Sequence, residues 1–209
     1  MDNQIQQLAT QLLKRNDNRT MVAIAGPPAA GKSTLTEQLR QQINQQANSP
    51  CAEIVPMDGF HFDNSLLDKY GTRKRKGAPH TFDFDGFKNT LKRLREPGSE
   101  VVVPLFDRQL DLARAGAAKV SLQHRIVLVE GNYLLLDQTP WSELHKLFDV
   151  RVFLDVPEEV LLQRLVQRWI DLDHTREQAL ARAESNDLPN ARLVRELTLV
   201  ADITIGHPA

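Results

Sequence analysis

Eight residues constrain this chain more than any other stretch: Gly26-Pro27-Pro28-Ala29-Ala30-Gly31-Lys32-Ser33. They fit G-x-x-x-x-G-K-[ST], a loop whose backbone N–H groups turn inward to cradle phosphate oxygens. The glycines allow dihedrals that a Cβ would penalise. Lys32 is expected to reach the β- and γ-phosphates and Ser33 to offer its hydroxyl to Mg²⁺, with Thr34 completing the nucleotide-binding set. Such a loop requires a strand before it and a helix after it. Met21-Val22-Ala23-Ile24-Ala25 reads as a strand buried on both faces. Leu35, Leu39 and Ile43 recur every four residues and mark one face of a helix whose positive end would point at the phosphates. The loop binds a nucleotide.

The same rhythm continues along the chain. Asp2 to Arg15 carries Ile5, Leu8 and Leu12 at helical spacing, and Asn16-Asp17-Asn18-Arg19 turns into the first strand. Ala52 to Met57, Ile126 to Glu130, Val150 to Leu154 and Ile203-Thr204-Ile205 read as further short apolar strands. Pro157-Glu158-Glu159 opens a helix, and Thr175 with Gln178 forms a capping-box pattern for another. Asp187-Leu188-Pro189-Asn190 reads as a break, with a helix over Arg192 to Leu199. Helices alternating with short strands predict an α/β protein with a parallel sheet covered on both faces. Ligands of such sheets sit beyond the carboxyl ends of the strands.

Between Gly59 and Arg125 the rhythm lapses. This excursion holds Arg73-Lys74-Arg75-Lys76, a helix with Leu91 and Leu94 stopped by Pro97-Gly98, and an extended segment, Val101 to Phe106, placed at an edge by Pro104. At 209 residues the chain fits one domain with a lid, taken as residues 157–190. With 26 basic and 27 acidic residues no global field recruits nucleic acid or an acidic membrane. The lone Cys51 excludes an internal disulfide, no apolar run reaches transmembrane length, and the polar Met1-Asp2-Asn3-Gln4 opens no signal core. A soluble protein of the cytoplasm is the expectation.

Several residues are candidates for chemistry. Asp58 closes the second strand, where a carboxylate could orient or deprotonate an attacking hydroxyl, or merely cap the turn before Gly59. Glu130 closes the Ile126 strand, where an acid is expected near Mg²⁺ or its water shell, although Asp is more usual. Arg164 and Arg168 project from one side of a helix and could stabilise a transferring phosphoryl group, or form a solvated face. The Arg73–Lys76 run reads as a solvated loop, with Arg75 as a contact for substrate phosphate in the functional alternative. His61, Asp107 and Arg108 are further substrate candidates, and His61 is the best placed of the excursion's polar groups.

Absences narrow the field. No Asn-Lys-x-Asp motif reads guanine, and no Leu-Ser-Gly-Gly-Gln transporter signature appears. Two classes remain: an ATP-dependent phosphotransferase acting on a small-molecule acceptor, and a P-loop ATPase acting as a regulatory module. A nucleic-acid-dependent ATPase is disfavoured by the balanced charge.

The order of motifs resembles a group of P-loop kinases, that of uridine kinase, phosphoribulokinase and bacterial pantothenate kinase. The resemblance rests on the loop, Met57-Asp58-Gly59-Phe60, Arg75-Lys76-Gly77-Ala78-Pro79, Phe82-Asp83, Pro104-Leu105-Phe106-Asp107 and Val129-Glu130-Gly131-Asn132. Within the group the chain resembles short bacterial proteins labelled as fructose-transport-system kinases or as uncharacterised sugar and nucleoside kinases, and the resemblance runs from about Thr20 to Ile205. It implies a three-layer fold with five parallel core strands and a helical lid, and ATP-dependent phosphorylation of a hydroxyl on a nucleoside, sugar or pantothenate-like acceptor. By the same resemblance Asp58 matches the catalytic aspartate, Glu130 the acid after the third core strand, and Arg164 and Arg168 the lid arginines. Pantothenate kinases carry Tyr-Ser-His where this chain has Phe106-Asp107-Arg108, and uridine kinases lack the Arg75-Lys76-Gly77 run, so the acceptor is not carried over. ATP and Mg²⁺ are the expected cofactors, and a homodimer is left open.

Overall fold

The computed structural model describes residues 2–96, 98 and 100–206. Pro97, the expected helix stop, lies outside them. The chain runs α1 (Asp2–Leu13), β1 (Thr20–Ala25), α2 (Lys32–Ala47), β2 (Ala52–Pro56), α3 (Asn64–Lys69) and α4 (Phe84–Arg95). The hairpin of β3 (Val101–Asp107) and β4 (Leu112–Val120) follows, then β5 (Ile126–Gly131), β6 (Val150–Asp155), α5 (Glu158–Ile170), α6 (Arg176–Arg182), α7 (Leu188–Glu196) and β7 (Ile203–Gly206).

Five strands form one parallel sheet in the order β2-β5-β1-β6-β7. Alternation splits its side chains between two cores. Met21, Ala23, Val127 and Val129 face α4, the hairpin and the Trp141 region. Val22, Ile24, Ile126 and Leu128 face α1, α2 and α5, where Ile5, Leu8, Leu12, Leu35, Leu39 and Ile43 are buried. Strands that serve two cores at once read as continuous apolar runs, which explains their legibility. Among the described residues no helix is long and apolar enough to cross a membrane.

Register brings the strand ends together. Ala25 pairs with Gly131 and with Phe153, and Pro56 pairs with Glu130. The residues following each strand therefore emerge along one edge of the sheet.

Two expectations are corrected and one gains a partner. The second strand stops at Pro56, and Asp58 stands in a 3₁₀ turn, Met57–Phe60, beyond it. The segment at Val101 pairs with a strand over 112–120 that alternation does not reveal; Pro104 lies where the register shifts between Val103 and Leu105, since it has no N–H for the ladder. The break at Asp187–Asn190 does not occur. A π turn, Ala183–Asp187, runs directly into α7: Leu188 N–H donates to Ala183 O across the wider turn, and Pro189, which has no N–H to give, sits where the π turn passes into the α-helix. That helix accordingly starts at Leu188 and ends at Glu196.

Candidate active site

The loop joins β1 to α2 through an unusual backbone. Gly31, just before α2, has φ 95°, open to glycine at little cost. Ala29 has φ 63°, a left-handed conformation costing a residue with a Cβ about 1 kcal/mol. Arg164 on α5 supports that conformation: its Nη1 donates to Ala29 O at 3.2 Å and Ala30 O at 3.3 Å. The neighbouring Gly26 has no room for a Cβ, which would come within 2.9 Å of Leu154 O.

Lys32 is buried beneath the loop. Its ammonium donates to Pro27 O at 2.9 Å and to Asn132 Oδ1 at 2.7 Å. Burial pushes its pKa down to about 8, against the pull of Glu130 and Asp58. The Ser33 hydroxyl donates to both Glu130 oxygens, at 3.1 and 3.0 Å. Glu130 is held above the usual carboxylate range by burial and by the neighbouring charge of Asp58. A hydroxyl and a carboxylate in contact are hard oxygen donors suited to Mg²⁺, which takes one or two protein ligands and completes its shell with phosphate and water. Among the described residues no group of three or more His, Cys, Asp or Glu could form an all-protein cage. The donor set fits a cation carried by a nucleotide.

Asp58 faces this pair from the 3₁₀ turn. Burial would raise its pKa, but opposing charges on His61, Arg108, Lys32 and Arg168 lower it overall. His61 is itself pushed down by burial, so at neutral pH the three stronger bases hold Asp58 ionised. Arg108 Nη2 donates to Asp58 Oδ2 at 3.3 Å. His61 Nδ1–H donates to Asp58 O at 2.8 Å, and its ring lies between Phe82 (4.0 Å) and Phe106 (4.7 Å). It anchors the Asp58 turn. Gly59 sits so close to the hairpin that a Cβ would meet Pro104 O at 2.4 Å.

The basic run is divided in its work, and the solvated-loop reading fails for two of its members. Lys76 is buried, donating to Asn64 Oδ1 (2.7 Å), Asp111 O (2.7 Å) and Asp111 Oδ1 (2.8 Å), with Phe106 beneath it. Arg75 reaches the π turn, donating to Ser185 O at 3.0 Å and Asn190 Oδ1 at 3.4 Å. Arg73 pairs with Asp68 at the surface. Asp107 accepts from the backbone N–H groups of Gln109 and Leu110, closing the hairpin turn that carries Arg108.

Arg168 lies one turn beyond Arg164 on α5; burial and the like charge of Arg108 push its pKa down against the pull of Asp58 and Asp187. Asp187 accepts from Trp169 Nε1 at 2.6 Å, and Arg182 stacks over the Trp169 ring. In the sequence Asp187 has only a place in an expected break and Asn132 only a place in the Val129–Asn132 motif, with a role assigned to neither. Tyr133, next to Asn132, donates to Gly77 O at 2.6 Å. Behind the loop a cavity of about 450 Å³ is lined by Gly31, Thr34, Gln38, Leu154, Val156 and Ile205.

The chain matches the Phosphoribulokinase / Uridine kinase family over residues 21–185. It is 34% identical over 204 residues to a provisionally named uridine kinase of Schizosaccharomyces pombe, covering 94% of this chain and 86% of that protein. With the uncharacterized protein YggC of Escherichia coli it shares 37% over 190 residues, covering 89% and 78%. The crystal structure of a provisionally named fructose transport system kinase from Silicibacter sp. TM1040 is similar at a TM-score of 0.90 and 45% identity, covering 96% of this chain and 98% of that one.

Proposed function

The chain belongs to the phosphoribulokinase / uridine kinase family, and on that premise we propose which of its residues carry the reaction. Membership makes it a P-loop kinase that transfers a phosphoryl group from ATP to a hydroxyl of a small molecule. The acceptor in our reading is a nucleoside, a sugar or a pantothenate-like alcohol, bound by the excursion of residues 59–125.

In this reading the amides of Gly26 to Thr34 and the ammonium of Lys32 hold the triphosphate, and the cavity behind the loop receives the base. Ser33 and Glu130 are the residues that would hold Mg²⁺. When bound, the cation draws charge from the β- and γ-phosphoryl oxygens. Asp58 orients the acceptor hydroxyl and takes its proton as the oxygen attacks the γ-phosphorus, while the bond to the bridging oxygen breaks and ADP departs. The region 157–190 acts as the lid, bringing Arg164 and Arg168 over the transferring group. A single free cysteine, Cys51, suits a reducing cytoplasm.

One observation carries the assignment. A loop that cradles phosphate, a hydroxyl–carboxylate pair fit for Mg²⁺ and an ionised aspartate converge on one edge of the sheet. A nucleotide-binding module has no need of the last. The test measures ADP release with MgATP across nucleosides, sugars, sugar phosphates and pantothenate, with mass analysis of the acceptor. A stoichiometric phosphorylated product is expected. ADP formed with no phosphorylated acceptor anywhere in the panel would return the chain to the regulatory ATPase reading.

A further inference from the structure

Arg108 is out of keeping with the rest of the site. Its side chain is about half exposed (51%), yet its backbone is pinned at both ends of a short turn. Asp107 accepts from the N–H groups of Gln109 and Leu110 at 3.1 Å. At the other end Asp111 is held by Lys76 and by Asn64, whose amide donates to Asp111 O (3.1 Å) and Oδ2 (2.9 Å). Three side chains thus hold a turn whose exposed residues are Arg108, Gln109 and Leu110, and of these Arg108 is the one that reaches Asp58. A loop built only to reverse direction needs no buried lysine to fix it.

Its present contact does not explain that construction. The bond to Asp58 is a single one, at 3.3 Å, between partly exposed groups, a geometry worth about 0–1 kcal/mol. Lys32 and Arg168 already oppose the charge of Asp58. A carboxylate that must receive a proton is moreover made less basic by each cation added beside it. Asp58 has to present its oxygens to the acceptor hydroxyl, so that bond must be exchanged when the acceptor enters. The guanidinium is then released, with its planar fork of donors, within a few ångströms of the acceptor. Carboxylates and phosphates match that fork in two-point geometry.

Resting on the kinase reading above, we propose that the acceptor carries an anionic group, a phosphate or a carboxylate, near the hydroxyl that is phosphorylated, and that Arg108 binds it. The exchange couples the two events. The anion draws Arg108 away and frees Asp58, so a neutral alcohol leaves Asp58 partly engaged and is a poorer substrate.

The test uses matched pairs that differ in charge: ribose 5-phosphate and ribose, fructose 6-phosphate and fructose, a nucleoside monophosphate and its nucleoside, glycerate and glycerol. Each is titrated calorimetrically into the full chain with a non-hydrolysable MgATP analogue, then assayed for phosphoryl transfer. The anionic member of at least one pair should bind about 10–100-fold more tightly, as charge-assisted hydrogen bonds give. Whether phosphate or carboxylate pairs show the preference identifies the anion. Arg108→Gln should erase the preference by raising KM for the anionic member with the Kd for MgATP unchanged, and Arg108→Lys should keep part of it. The inference is overturned if no pair shows the preference, if the preference survives in Arg108→Gln, or if that variant lowers kcat alike for both members. Absence of phosphorylated product from every pair counts against the kinase reading, while the binding titrations still decide the role of Arg108.

Discussion

Lys32 Nζ donates to Asn132 Oδ1 at 2.7 Å, joining the nucleotide loop to the end of β5 across a hundred residues of chain. The bond aims an ammonium that burial holds at a pKa of about 8, well below an ordinary lysine. A depressed pKa means that the folded state is penalised for keeping the charge inside. Replacement by an apolar group of similar length removes that penalty. Lys32→Met should therefore raise Tm while abolishing turnover, and Asn132→Ala should weaken MgATP binding by roughly 3–10-fold, the net worth of one hydrogen bond. Thermal melts and nucleotide titrations check both. An unaltered MgATP affinity in Lys32→Met would remove Lys32 from the site.

Gly59 is the point where the Asp58 turn meets the hairpin, and the approach is backbone to backbone. A Cβ placed 2.4 Å from Pro104 O cannot be absorbed by rotating a side chain. Gly59→Ala should cost about 1–3 kcal/mol of stability, as overpacking does. It should also lower transfer to the acceptor more than binding of MgATP, because the displaced parts are Asp58 and the hairpin. Equal losses in both would show the strain spreading to the loop.

The parallel strands and the nucleotide loop were legible because their constraints are local. A strand buried on both faces must be apolar throughout, and the loop needs its glycines and lysine at fixed spacing. The hairpin was half legible. Val101 to Phe106 reads as extended, whereas Leu112-Ala113-Arg114-Ala115-Gly116-Ala117-Ala118-Lys119-Val120 carries few strand-forming residues and pairs only because β3 offers its edge. Pro189 reads as a break, yet the helix passes through it by way of the π turn Ala183–Asp187. The roles of Lys76, Arg75 and Asn132 come from partners 12 to 115 residues distant, and spacing along the chain does not encode them.

Arg164 and Arg168 share a helical face but not an environment. Arg164 braces the carbonyls of Ala29 and Ala30, so Arg164→Ala should weaken MgATP binding as well as lower kcat. Arg168 faces Asp58 and Asp187, and Arg168→Ala should lower kcat with little change in the affinity for MgATP. Comparing Kd with single-turnover rates separates the two. The same pattern in both variants would contradict the division.

Asp187 is raised above the usual carboxylate range by burial, which outweighs its bond from Trp169 and the charges of Arg168, Arg182 and Arg75. A raised acid pKa means the folded chain binds more protons than the unfolded chain, whose aspartate titrates near about 3.9. Stability then falls as pH rises from that value through the folded pKa, and the deficit is complete above it. Asp187→Asn retains an oxygen for Trp169 and removes the deficit. Its Tm should exceed the parent's at pH 7 by about 2–4 °C for each kcal/mol recovered, with the gain shrinking as pH is lowered toward 4. A gain independent of pH would trace the effect to packing instead.

Asp58→Asn tests the chemistry itself. The amide keeps the size of the side chain and can still accept from Arg108, so the turn from Met57 to Phe60 should hold its shape. His61 secures that turn through the backbone carbonyl of residue 58, a contact the substitution does not touch. What is lost is a group able to receive the hydroxyl proton. Transfer should fall by roughly 10²–10⁴, the range of a positioned acid or base, while MgATP binds with nearly the parent affinity. Phosphoryl transfer has a loose transition state in which the attacking oxygen gains little charge before the leaving bond breaks. Orientation by Asp58 then matters as much as basicity, and the loss should lie toward the lower end of that range. Single-turnover transfer, followed alongside a separate MgATP titration, resolves the outcomes. A fall in affinity in step with rate would assign Asp58 to the metal or to the frame of the site, and full activity would remove it from the reaction.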